Sequence, residues 1–198
     1  MPDTDHVSTA ERNLSVTWVI ATVAGWAVGF FLCEALKAFV STFLVDGLII
    51  GTFIGIAQGL VVRRRIAPMR WWVLASIAGF GVGLAAGEAL ALNLSAQVAG
   101  VLTGVIIGTA LGIAQWLVLR RRLTQAWWWV LANIAAWGVG WPLIRLVDDS
   151  AATPILIIYV VGAAGAAVAA IITAIALISL MRHPAPSPGV GSLGRKQS

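Results

Sequence analysis

Six apolar stretches set apart by short polar connections make up most of the chain: residues 14–36, 43–62, 71–92, 99–119, 126–147 and 155–180. Each is about 20–26 residues long. At a rise of about 1.5 Å per residue, a helix of that length crosses a hydrocarbon layer about 30 Å thick. Nothing in these runs alternates with the period of two that a strand would need, and a helix satisfies its own backbone in lipid. The expected fold class is therefore all-α: a polytopic membrane helical bundle of six transmembrane helices.

Small residues recur at every fourth position inside the stretches. The even ones carry Gly47, Gly51, Gly55 and Gly59, then Gly100, Gly104, Gly108 and Gly112. The odd ones carry Ala21, Gly25, Gly29 and Cys33, then Ala75, Gly79, Gly83 and Gly87, then Ala132, Ala136 and Gly140. Such spacing leaves a strip without bulk, where a second backbone approaches closely and makes van der Waals and CH···O contacts. Gly25, Gly29, Gly51, Gly55, Gly79, Gly83, Gly104, Gly108 and Gly112 are accordingly assigned to helix packing, with the strips facing each other in tight hairpins. About 100° further round the odd helices runs a second stripe: Trp18, Thr22, Trp26, Phe30, Glu34; Trp72, Ser76, Phe80, Leu84, Glu88; Trp129, Asn133, Trp137, Trp141, Arg145. It ends each time in a charge.

The pattern repeats. GTFIGIAQGLVVRRR at 51–65 returns as GTALGIAQWLVLRRR at 108–122, 57 positions later. The odd stretches align as WVIATVAGWAVGFFLCEAL, WVLASIAGFGVGLAAGEAL and WVLANIAAWGVGWPLIRLV. The repeating unit is a two-helix hairpin, giving hairpins 14–62, 71–119 and 126–180 in parallel orientation. Related by a pseudo-threefold axis along the membrane normal, they would form a ring; an open row fits the same sequence. A polar segment, 1–13, precedes the 14–182 membrane domain. A Pro/Gly/Ser-rich tail, 183–198, follows it.

Composition agrees: 60% hydrophobic and 11% charged residues leave too few charges to solvate a globular surface. The formal charge of +5 is concentrated at span ends, where Arg63, Arg64, Arg65, Arg70, Arg120, Arg121, Arg122 and Arg182 lie on one side and Lys37, Asp46, Asp148 and Asp149 on the other. The positive-inside bias puts the arginine side and both termini in the cytoplasm, and makes the charge a topology signal with no bearing on nucleic acid. Arg63, Arg64, Arg65, Arg120, Arg121 and Arg122 are placed to grip anionic lipid headgroups. Trp71, Trp72, Trp127, Trp128 and Trp129, just past those arginines, read as an aromatic belt at headgroup depth.

Candidate chemistry is sparse. His6 and His183 both lie in the terminal segments, Cys33 is the single cysteine, and no nucleotide loop, metal box or nucleophile elbow occurs. The chain is expected not to be an enzyme, with no metal site and no cofactor, though a bound lipid or pigment would suit its aromatic surfaces. The candidate intramembrane polar or ion site comprises Glu34, Glu88, Arg145, Gln58 and Gln115. If the second stripe points at an axis, the three charges meet near the non-cytoplasmic end, where Arg145 neutralises one carboxylate and leaves the other for a proton or cation. Snorkelling into headgroups accounts for the same charges. Gln58 and Gln115 suit interhelical hydrogen bonds, but the aligned position in the last stretch is Ala176. Pro142 is expected to kink the fifth helix near Arg145.

GIAQWLVLRRR followed by WWWVLANIAAWGVG resembles an uncharacterised group of bacterial hairpin-repeat polytopic membrane proteins. The resemblance implies a bacterial inner membrane location and supplies neither an activity nor a functional residue. The sequence reading is thus a non-enzymatic inner-membrane protein acting by helix packing: an accessory or scaffold subunit of a larger membrane complex, or a lipid- or pigment-contacting module. Its partners would be membrane lipids and other membrane-protein subunits or further copies of itself, and no nucleic acid. The competing reading is a small channel or proton/cation-coupled carrier using Glu34, Glu88 and Arg145.

Overall fold

The computed structural model describes residues 4–40, 42–63, 68–146 and 153–182. The Pro/Gly/Ser-rich tail, Arg64, Arg65, Asp148, Asp149 and His183 lie outside the described residues. Six helices follow one another: α1 (Thr4–Leu36), α2 (Phe43–Val62), α3 (Met69–Ala91), α4 (Ala96–Leu119), α5 (Trp128–Ile144) and α6 (Ile155–Met181), with no strand among the described residues. The chain is all-helical, and all of these helices except α5 are long and apolar enough to cross a membrane.

Local chemistry fixes several boundaries. Thr42 caps α2, its hydroxyl accepting from the Val45 N–H at 3.3 Å, which answers one of the orphan donors of a helix start. Pro68 and Pro154 precede α3 and α6, where a residue lacking an N–H costs nothing. Two expectations change here. The polar segment before residue 14 is helical from Thr4 onward and continues α1 without a break. The fifth element runs only 17 residues, against the 126–147 expected, and contains Pro142 near its end. Proline cannot donate to the Gly138 carbonyl, so the ladder weakens and the helix stops at Ile144; the expected kink is a terminus. Arg145 then caps it, its N–H reaching the Trp141 carbonyl at 3.1 Å.

The helices pack in chain order, α1 on α2 through to α5 on α6, and α6 packs back on α1. This is a closed circuit and not a row. Short connections make neighbours antiparallel, so the starts of odd helices and the ends of even helices share one end of the ring. That end carries Arg63, Arg120, Arg121, Arg122 and Arg182 and is termed the arginine end. Outward faces are apolar, with Ile20, Phe31, Leu74, Val82, Val139, Val160 and Ile175 all exposed, as a lipid-facing surface requires.

The glycines face differently from the hairpin expectation. A Cβ at Gly25 or Gly29 would lie 2.7–2.8 Å from α2 backbone at Phe53, Ile54 and Ile50, but the α2 strip turns away from α1: a Cβ at Gly47 would lie 2.7 Å from the Phe80 carbonyl of α3 and one at Gly51 2.6 Å from that of Ser76. Gly55 also abuts Ser76. Next round, Gly79 and Gly83 meet Leu111 and Ile107 of α4, while Gly104 and Gly108 press on the Trp137 and Asn133 carbonyls of α5 and Gly112 on Val130. From α1 to α5 each strip therefore receives the bulkier side of the next helix; only between α5 and α6, among the described residues, do small residues face each other, Gly140 against Gly165 and Ala169. Every helix has two neighbours in a ring, and one strip serves only one of them.

Candidate functional site

The second stripe of the odd helices points into the ring, where it builds three layers. Nearest the arginine end, Trp18, Trp72 and Trp129 meet from α1, α3 and α5 with ring centroids 5.9–6.0 Å apart. Such separations suit tilted or edge-to-face aromatic pairs, each worth about 0.5–1.5 kcal/mol beyond area burial. Trp72 and Trp129 are 0% and 1% exposed. They are core residues, which corrects their place in the headgroup belt. Trp71, Trp127 and Trp128 keep outward positions, Trp71 beneath the Arg70 guanidinium at 5.6 Å.

Three buried indoles bring three N–H donors that need acceptors in a dry interior. A girdle of polar side chains supplies them. Trp72 Nε1 donates to Gln58 Oε1 at 3.3 Å, and Gln58 Nε2 donates to the Thr22 hydroxyl at 3.0 Å. One hairpin on, Trp129 Nε1 donates to Gln115 Oε1 at 2.8 Å and Gln115 Nε2 to the Ser76 hydroxyl at 3.0 Å. Thr22 and Ser76 pass their own protons to the Trp18 and Trp72 carbonyls. Trp18 Nε1 donates to the Thr173 hydroxyl at 3.0 Å, on α6. Gln58 and Gln115 are thus placed between helices, well away from Glu34, Glu88 and Arg145. Thr173 lies one turn before Ala176, the position that the repeat aligns with Gln58 and Gln115, and its signal in the sequence is a lone threonine within the apolar α6 run.

Above the girdle lies an aromatic and aliphatic layer in which Phe80 stands edge-on to Trp137 at 4.8 Å and Trp26 stacks on Phe30 at 5.0 Å. Beyond it, at the end opposite the arginines, the ring opens into a vestibule of about 710 Å³. Apolar wall comes from Trp26, Phe30, Ile50, Leu84, Trp141 and Ile144; Glu34, Lys37, Asp46, Glu88 and Arg145 supply its charges. Arg145 approaches Glu88 at 3.6 Å. Glu34 pairs with Lys37 of its own helix at 3.5 Å and not with Arg145. Both contacts are at the long end for an ion pair, and Glu88 is buried. The Cys33 thiol, also in the wall, donates to the Asp46 carbonyl at 3.7 Å. Trp141 is buried, yet its indole N–H finds no acceptor among the described residues; the same holds for the Thr103 hydroxyl. No group of three or more His, Cys, Asp or Glu side chains among the described residues is arranged to hold a metal.

Outside the ring's interior, Arg63, Arg120, Arg121 and Arg122 are exposed, Arg120 lying over Trp116 at 5.3 Å. Arg182 at the end of α6 grips Glu11 near the start of α1 through both carboxylate oxygens, at 3.0 and 2.6 Å. Comparison with protein families, curated proteins and solved structures finds no match to the chain.

Proposed function

We propose that the chain crosses a bacterial inner membrane six times, as three parallel two-helix repeats around a pseudo-threefold axis, and works without catalysis by holding an amphipathic molecule in its vestibule. Support for the repeats comes from the girdle, where the same pair of bonds recurs at Gln58 and Gln115, and from the near-equal separations of the three indoles. At about 25 Å, a 17-residue α5 is short for a bilayer, and exposed Trp127 and Trp128 at its start extend its reach to the interface. With the arginine end in the cytoplasm, both termini lie there and the vestibule faces the other side.

The observation that carries the reading is the vestibule itself: an apolar pocket with ionic groups at its mouth, in the size range of small-molecule sites, about 300–1,000 Å³. Packing alone accounts for the protein less well, because the glycine strips that would have offered flat docking surfaces to another subunit are taken up inside the ring. A carrier built on Glu34, Glu88 and Arg145 draws on the same cavity, but transport through it requires Trp18, Trp72 and Trp129 to separate.

Purification from native membrane in mild detergent, followed by solvent extraction and mass spectrometry, tests the reading. Wild-type protein should retain a lipophile in near-stoichiometric amount. Leu84→Trp, which fills the cavity from its wall, should lose it with unchanged helical circular dichroism. Equal recovery from both proteins would overturn the vestibule as the site.

A further inference from the structure

We infer that the vestibule selects an organic cation, a molecule with an ammonium or comparable positive centre on an apolar body. The inference rests on the vestibule being a binding site and goes on to name its ligand class. Two independent features of the cavity point the same way. First, its described charged residues are three carboxylates, Glu34, Asp46 and Glu88, against two cations, Lys37 and Arg145. Glu34 and Glu88 each have a cationic partner, at 3.5 and 3.6 Å. The described carboxylates outnumber the described cations by one, and Asp46 makes no ion-pair contact among the described residues, though the charge of Lys37 acts on it as well as on Glu34.

Second, the walls are aromatic. Phe43, exposed at the mouth, and Phe30 and Trp141 line the same space; Trp26 lies behind Phe30, stacked on it within 9° of parallel and 1% exposed. Ring faces carry negative quadrupolar potential, and a cation within about 6 Å of a ring is attracted to it, more strongly where water is excluded. An anion of equal size would gain from Lys37 and Arg145 but would meet three carboxylates and any ring face as repulsion. Trp141 adds a condition: its indole N–H lacks an acceptor among the described residues, so a ligand that also carries an ether, carbonyl or hydroxyl oxygen would answer a buried donor.

Tetraphenylphosphonium and tetraphenylborate, nearly identical in size and apolar surface and opposite in charge, provide the test. Binding of each to the full chain in nanodiscs is measured by equilibrium dialysis against empty nanodiscs. Tetraphenylphosphonium should bind saturably at one site, at least tenfold tighter than tetraphenylborate. Asp46→Asn should reduce the cation's affinity about tenfold, and Asp46→Glu should restore it. Glu34→Gln, at a half-buried position paired with Lys37, should weaken the cation severalfold and strengthen the borate. A vestibule that binds both ions equally, or the borate better, overturns the cation inference while leaving the site in place. Binding of either ion that survives Leu84→Trp undiminished overturns the site itself. As competitors, a long-chain alkylamine in the bilayer and tetraethylammonium in the water distinguish a lipid from a soluble source. Displacement by either supports the assignment; displacement by neither counts against it.

Discussion

Gln115 shows how much one side chain can settle in a water-free interior. Its amide closes two bonds at once, accepting from Trp129 and donating to Ser76, so Gln115→Leu strands a buried indole N–H. Interhelical hydrogen bonds in membranes average about 0.6 kcal/mol, because alternatives exist in the unfolded state. A stranded donor costs about 1–3 kcal/mol. Gln115→Leu should therefore lower stability by about 1–2 kcal/mol, read as a drop in melting temperature in detergent. Adding Trp129→Phe removes the stranded donor and should return part of the loss; if the two changes merely add, the bond does not matter. At this scale the sequence was readable for what each residue is and less so for what it meets. Trp72 sits one position from Trp71, and adjacent helix positions differ by 100°, which separates a belt residue from a core residue while leaving both beside the same arginine.

Among the elements, the glycine strips decide how close neighbours come. A methyl group at Gly108 would press on the Asn133 carbonyl, which is backbone and cannot swing away, whereas at Gly138 the nearest atom is the end of Val105 at 3.3 Å. Overpacking of this kind costs about 1–3 kcal/mol. Gly108→Ala should thus destabilise by that amount and Gly138→Ala by much less, measured by thermal unfolding side by side; equal effects would mean that α4 and α5 do not meet on this strip. The four-residue period made the strips plain in the sequence, since it depends on the geometry of one helix. Which neighbour each strip serves depends on the order of helices round the ring. A pairwise hairpin picture supplied the wrong partner for the α2 strip. Similarly, the length of α5 was misread because hydropathy continues past the point where Pro142 withdraws a hydrogen bond.

For the molecule as a whole, closure rests on α6 meeting α1, through Thr173 and Trp18 inside and Arg182 and Glu11 at the rim. Cysteines introduced as Glu11→Cys and Arg182→Cys, in a Cys33→Ser background, should be joined by a short bismaleimide and shift the band on a denaturing gel. The pairing Glu11→Cys with Arg120→Cys, across the ring, should not. Crosslinking of neither pair would reopen the ring. The six apolar stretches were sufficient to establish an all-helical chain with membrane-length helices, and the stripe ending in Glu34, Glu88 and Arg145 located the vestibule's mouth. Its pairing was out of reach, because Lys37 lies one turn from Glu34 and takes it first.

The clasp between Glu11 and Arg182 has a consequence for how such a ring can be written in a gene. Because the first and last helices finish side by side at the same end, the circle of contacts has no privileged starting point. A circularly permuted chain, cut in the short turn between α3 and α4 and rejoined from α6 to α1, would enclose the same space, with its new ends at the end of the ring opposite the arginines.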